Sequence, residues 1–165
     1  MKQTIYWSAA IVALVGLMLW ARPSGSAPSK VSAATSTAPV ALVAAETLYD
    51  FGTIRMADGI KNHIFTVANP TNADVEVKTV VTSCMCTTAY IETDAGEKGP
   101  FGMVGMGYVP PANEVIKAGE SRNIKVVFDP NAHGPAGVGI IDRIVTLTDA
   151  QGAALKLEIK AVVTP

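Results

Sequence analysis

Leu155-Lys156-Leu157-Glu158-Ile159-Lys160-Ala161-Val162-Val163 decides the fold class. Apolar residues at 155, 157, 159, 161 and 163 alternate with charged residues at 156, 158 and 160. That period of two turns one face of a strand inward and leaves the other in water. Immediately before it, Asp149-Ala150-Gln151-Gly152 has the composition of a hairpin turn. Ile140 to Thr148 is β-branched, but its inner face is ambiguous because Arg143 shares register with Val145 and Leu147. Farther upstream, Ile124, Val126 and Phe128 alternate with Lys125 and Val127 and stop at Asp129-Pro130. Asp74 to Val81 sets Asp74, Glu76 and Lys78 against Val75, Val77 and Val81. Asn62 to Ala68 is expected to bury Phe65 and Val67 before a turn at Asn69-Pro70-Thr71-Asn72, and Leu48 to Ile54 is a first strand with Gly52 at a bulge. No segment after Glu46 carries a helical period of useful length. The expectation is an all-β, immunoglobulin-like antiparallel β-sandwich of about seven strands. The Cys…Trp…Cys core of antibody domains is absent, since both tryptophans lie near the N-terminus and the cysteines are one residue apart.

Ahead of this domain, Met1-Lys2 is a short positive lead and Thr4 to Ala21 is an uncharged apolar run. As a helix that run would be about 27 Å long, close to a bilayer core. Tyr6 and Trp7 at one end and Trp20 at the other suit the two interfaces. Residues 1–22 therefore read as a signal anchor, with a signal peptide cleaved near Ser24-Gly25-Ser26 as the alternative. Residues 23–45, rich in Ala, Ser and Pro, read as a flexible linker, and 46–165 as the domain. Either fate of the leader places the domain outside the cytoplasm: anchored in the cytoplasmic membrane, or periplasmic or secreted. The formal charge of −1 and the lack of any Lys/Arg cluster speak against a nucleic-acid partner. A protein partner at a sandwich edge or end loop is compatible with this composition.

Both cysteines stand in Thr82-Ser83-Cys84-Met85-Cys86-Thr87-Thr88. In a strand, residues two apart have Cα atoms about 6.5–7 Å apart, whereas a disulfide needs Cβ atoms about 3.8 Å apart. The spacing therefore favours two free thiols, or two thiolates on one soft metal ion, over an internal disulfide. A bond to another chain stays open. Continued alternation from Asp74 puts Cys84 and Cys86 on the outer face with Glu76 and Lys78; a bulge at Thr82-Ser83 would reverse that.

Tyr49-Asp50-Phe51-Gly52-Thr53-Ile54, Phe65 with Asn69, and Ser83-Cys84-Met85-Cys86-Thr87 occur in that order, followed by Ala118-Gly119-Glu120 and Phe128-Asp129. On these residues the chain resembles the bacterial family called domain of unknown function 1573, from roughly Glu46 to Val163. The resemblance implies an exported immunoglobulin-like module and implies no activity. Against the family pattern, the chain carries a Gly- and Met-rich insert, Ile91 to Ala112, which is read as lacking strand pattern.

Met103 and Met106 in that insert are candidate partners of Cys84 and Cys86, because thioether and thiolate sulfurs select Cu(I). The plainer alternative is that these methionines plug an irregular gap. His133, on a loop, is a secondary candidate ligand, and His63 ranks below it. No Ser/His/Asp or Cys/His arrangement and no phosphate-binding glycine loop is legible, so no enzyme is expected. The sequence thus points to a membrane-tethered extracytoplasmic binding module, with copper held through the Cys-x-Cys pair. Thiol–disulfide exchange through Cys84 and Cys86, or plain adhesion without a site, are the alternatives.

Overall fold

A computed structural model of the chain describes residues 41–165. The anchor expected over 1–22 and most of the linker lie outside the described residues. Among the described residues, no helix is long and apolar enough to cross a membrane.

Among the described residues, ten strands form two facing sheets. They are β1 (Val43–Ala44), β2 (Leu48–Arg55), β3 (Lys61–Ala68), β4 (Val75–Thr82) and β5 (Thr87–Thr93), then β6 (Gly96–Phe101), β7 (Glu114–Ile116), β8 (Ser121–Phe128), β9 (Gly139–Asp149) and β10 (Ala154–Thr164). One sheet has the order β1-β3-β8-β5-β6 and the other β2-β10-β9-β4-β7. Side chains from the two inner faces meet in one core, where Phe65, Phe101, Phe128, Ile124, Leu147, Leu157 and Ile159 are fully buried. Each such residue contributes roughly 1.5–3 kcal/mol relative to exposure. The alternation of β10 and β3 is as the sequence requires, with Leu157, Ile159, Ala161 and Val163 inward and Phe65 and Val67 buried.

Four expectations need correction. The sandwich is not wholly antiparallel, because β2 pairs with β10 in parallel. Strand alternation fixes which face is buried but not strand direction, so β2 gave no warning. Among the described residues the strands number ten rather than about seven: β1, β6 and β7 are short or at sheet edges, whereas β5, between β8 and β6, follows directly on the cysteine turn. The folded part begins before Glu46: Leu42 is buried and Val43 and Ala44 pair with Ala68 and Val67. An apolar Leu42 beside two strand-compatible residues suffices to seal the edge of β3. Finally, the stretch from Ile91 is not structureless, since β5 continues to Thr93 and β6 pairs back onto it. Glu97 and Lys98 of β6 carry no apolar alternation, which hid the strand.

Gly52 does lie at a register shift between β2 and β10. Its φ of +67° is left-handed, and its N–H donates to Asp50 Oδ1 at 2.8 Å, which accounts for Asp-x-Gly at this position.

Candidate metal centre

The cysteine turn is the crossover from β4 in one sheet to β5 in the other, and the neighbouring crossover runs from β8 to β9. Thr87 at the start of β5 pairs with Phe128 at the end of β8, and Thr82 at the end of β4 pairs with Val145 of β9. Both crossovers therefore emerge at the same end of the sandwich, one carrying Cys84 and Cys86 and the other His133.

The register by which the chain enters this turn is not the simple alternation expected. A bulge lies between Val77 and Thr79 in the pairing of β4 with β9, so that Val80 and Thr82, rather than Val81, face inward. The strand then breaks at Ser83. Cys86 is buried at 3% exposure and Cys84 is half-buried, which corrects the outward placement of both. Both thiols are free.

Each residue around the pair has a definable task. Ser83 is tied to β9 twice: its N–H donates to Ile144 O and its Oγ accepts from Ile144 N–H, both at 2.9 Å. The buried Thr82 hydroxyl lies 3.0 Å from the carbonyl oxygens of Cys84 and Thr87, sharing its single proton across the turn. Thr87 N–H donates to Cys84 O at 3.2 Å and closes it. Replacing Thr82 with valine keeps the shape and removes that donor, so chemical denaturation should show a loss of about 1–3 kcal/mol. An unchanged midpoint would mean that the hydroxyl does not hold the turn.

His133 is positioned by the end of β8. Asp129 N–H donates to Cys86 O at 2.9 Å, and Asp129 Oδ1 accepts from Asn131 N–H at 2.8 Å. Gly137 closes the same loop, where a Cβ would sit 3.0 Å from Pro130 O. The outcome is a Cys84 Sγ to His133 Nε2 distance of 3.1 Å. The donor atoms of Cys84, Cys86 and His133 all lie within 4.8 Å of one another. Cys86 is buried, Cys84 half-buried and His133 exposed, so the group opens to solvent on the histidine side.

Arg143 completes the surroundings, its Nε–H donating to Cys86 Sγ at 3.3 Å. Burial opposes ionisation of Cys84, yet hydrogen bonds from Cys86 and His133 and the charge of Arg143 outweigh it and bring the thiol down to about 7. Cys86 moves the other way, raised by burial and by its hydrogen bond to Cys84 against the opposing pull of Arg143. One thiol of the pair thus ionises near neutral pH while its neighbour holds a proton.

Of the residues singled out from the sequence, Cys84, Cys86 and His133 come together. Met103 and Met106 instead line a surface cavity of about 210 Å³ with Met85 and Tyr108, whose walls include none of those three. His63 stacks on Tyr49 with ring centroids 3.6 Å apart, and its Nε2 lies 2.9 Å from Glu46 Oε2. Arg143 was missed as a site residue. The signal was its inward register with Val145 and Leu147, a cation among core positions.

Residues 42–112 match the family model described as "Protein of unknown function (DUF1573)". This bears out the family read from the Tyr-Asp-Phe-Gly and Ser-Cys-x-Cys-Thr elements. The DUF1573 match runs through the methionine loop and ends at Ala112, so Ala118-Gly119-Glu120, Phe128-Asp129, His133 and Arg143 lie beyond it. No curated protein matches the chain. Among solved structures, a protein of unknown function from Porphyromonas gingivalis W83 is similar, with 16% identity and a TM-score of 0.54 over 78% of this chain and 51% of that one. A family 123 glycoside hydrolase from Clostridium perfringens is similar at 9% identity, with a TM-score of 0.51 over 71% of this chain and 22% of that one. The chain thus spans about half of the first protein and about a fifth of the second. At these identities the likeness concerns the β-sandwich alone.

Proposed function

We propose that this protein is a membrane-tethered, extracytoplasmic, immunoglobulin-like module that binds Cu(I) through Cys84, Cys86 and His133 and catalyses no reaction. The observation that carries the reading is the convergence of two sulfurs and one imidazole nitrogen within 4.8 Å. A single ion with bonds of about 2.0–2.3 Å bridges such a set with little rearrangement. Structural zinc sites take four protein ligands, and among the described residues no fourth Cys, His, Asp or Glu donor joins this group. Charge points the same way. Cu(I) with two thiolates carries one net negative charge, which the Arg143 guanidinium beside Cys86 offsets; Zn(II) with the same thiolates is already neutral and would leave that cation uncompensated. Export is supported by the apolar leader of residues 4–21.

The test is titration of the full-length protein with Cu(I) against a chromogenic chelator. The expected result is one equivalent held by the unmodified chain at chelator concentrations that strip Cys84→Ser. Equal, weak retention by both would remove the proposal. The lowered pKa of Cys84 favours a second reading, thiol–disulfide exchange with Cys86 resolving. Absent copper retention, combined with rapid exchange of Cys84 with glutathione disulfide, would establish that reading instead.

A further inference from the structure

Met85, Met103 and Met106 are exposed at 46%, 36% and 57%. A methionine used to fill a core gap is buried, so none of these three is serving that purpose. They line one cavity together with Thr87, Thr88 and Tyr108. The backbone fixes where each begins. Met85 rides on the turn closed by Thr87 N–H on Cys84 O. Met103 bridges in parallel to Thr82, whose N–H donates to Gly102 O at 3.1 Å. Met106 N–H donates to Met103 O at 3.3 Å, closing a turn.

We propose that this cavity is a second site for a soft monovalent cation, Cu(I), held by thioether sulfur alone. Its lining contains no carboxylate, imidazole or thiol, so hard divalent ions find none of the charged oxygen ligands they need. Three thioethers are soft, neutral and free of titratable protons, which suits Cu(I) and its analogue Ag(I). None of these three ligands has to lose a proton to bind. Met85 stands between Cys84 and Cys86 in the chain, so the wall of this cavity is continuous with the thiolate turn. Neutral thioethers bind a cation less tightly than paired thiolates. An ion captured at the methionines is therefore drawn inward, a direction that rests on the thiolate reading, whereas the methionine site does not.

The test adds Ag(I) to the full-length Cys84→Ser, Cys86→Ser chain labelled with carbon-13 at its methionine methyls. One equivalent should shift the signals of Met85, Met103 and Met106 together and leave those of Met1, Met18 and Met56 in place. Zinc should move none of them. Absence of any shift, or equal shifts at all six methionines, would overturn the proposal. The unmutated chain provides a measurement free of cysteine substitution, and the same three methyls should respond there too. Met103→Leu, Met106→Leu with both cysteines present should bind one fewer equivalent of Ag(I); undiminished uptake would also sink the site. Failure of the thiolate site alone would appear differently, as an unmutated chain binding one equivalent with the methionine signature intact.

Discussion

Replacing Arg143 with leucine is expected to weaken Cu(I) binding by about 10–100-fold, the range typical of groups that support a metal's direct ligands. The guanidinium reaches Cys86 Sγ at 3.3 Å from the face of β9 that also buries Ile141, Val145 and Leu147. Without it, the Cu(I)–dithiolate unit keeps a net negative charge beside the core, where burial penalises charge most. Zinc affinity should fall less, because a zinc–dithiolate unit needs no counterion. Competition titrations with both metals read this as a narrowed preference for Cu(I). Arg143→Lys keeps the charge but loses the planar Nε–H geometry, so it should fall between the two. Unchanged Cu(I) affinity in the leucine variant would show that the arginine only packs.

The metal-free protein carries the same electrostatics in its response to pH. Cys84 alkylation by iodoacetamide should be half-maximal near pH 7, and Arg143→Leu should move that midpoint part of the way toward the ordinary 9.0. The shift is only partial because hydrogen bonds from Cys86 and His133 also hold the thiol down. Since folding lowers the Cys84 pKa, its contribution to stability is complete above 9.0 and disappears as pH falls through about 7. Cys86 has the opposite sign. Its pKa is raised, so its contribution is complete below 9.0 and is lost as pH climbs through the higher value. Urea midpoints of the metal-free chain should therefore rise from pH 7 toward 9 and decline beyond. A flat profile would mean that neither thiol differs between folded and unfolded chains.

Why the sandwich was readable and the site only partly so follows from what alternation encodes. Residues 155–163 and 62–68 repeat every second position because each strand has one wet and one dry face, and the structure buries Leu157, Ile159, Ala161, Val163, Phe65 and Val67 and half-buries Leu155. The site depends instead on where that rule breaks. The bulge between Val77 and Thr79 reverses the phase of β4 with no glycine or proline to announce it. A strict continuation therefore sent Cys86 to the surface, when it is buried. His133 and the cysteines lie 47–49 positions apart, joined only because two sheet-to-sheet crossovers share an end, a fact of topology that local pattern does not contain. Arg143 was visible as an anomaly, an inward cation, but its partner was not. The methionines stand out in the sequence by their sulfur, but only the fold of residues 102–109 brings Met103 and Met106 to the cavity that Met85 also lines.

Asn69→Ala is expected to destabilise the folded protein by about 3 kcal/mol, through several hydrogen bonds of about 1 kcal/mol each and the penalty for stranded buried partners. Asn69 is fully buried at the end of β3. Its Nδ2 donates to Ala73 O at 2.8 Å and to Ile116 O at 2.9 Å, while Oδ1 accepts from Thr71 N–H at 3.1 Å and Thr71 Oγ–H at 2.7 Å. One side chain thereby joins β3 of one sheet to β7 of the other and shapes the intervening turn. Alanine leaves the Ile116 carbonyl without that donor in a buried place. Aspartate should be worse than alanine, since it replaces the donating amide with a carboxylate facing two carbonyl oxygens. Measured by urea, the loss should appear as a lower midpoint with an unchanged slope, because the unfolded chain exposes the same surface. Cu(I) affinity of the folded fraction should be untouched, as Asn69 makes no hydrogen bond to Cys84, Cys86 or His133, so added Cu(I) should raise both midpoints by the same free energy. A metal-induced shift much smaller in Asn69→Ala than in the unmodified chain would instead show that this buried amide also sets the geometry of the cysteine turn.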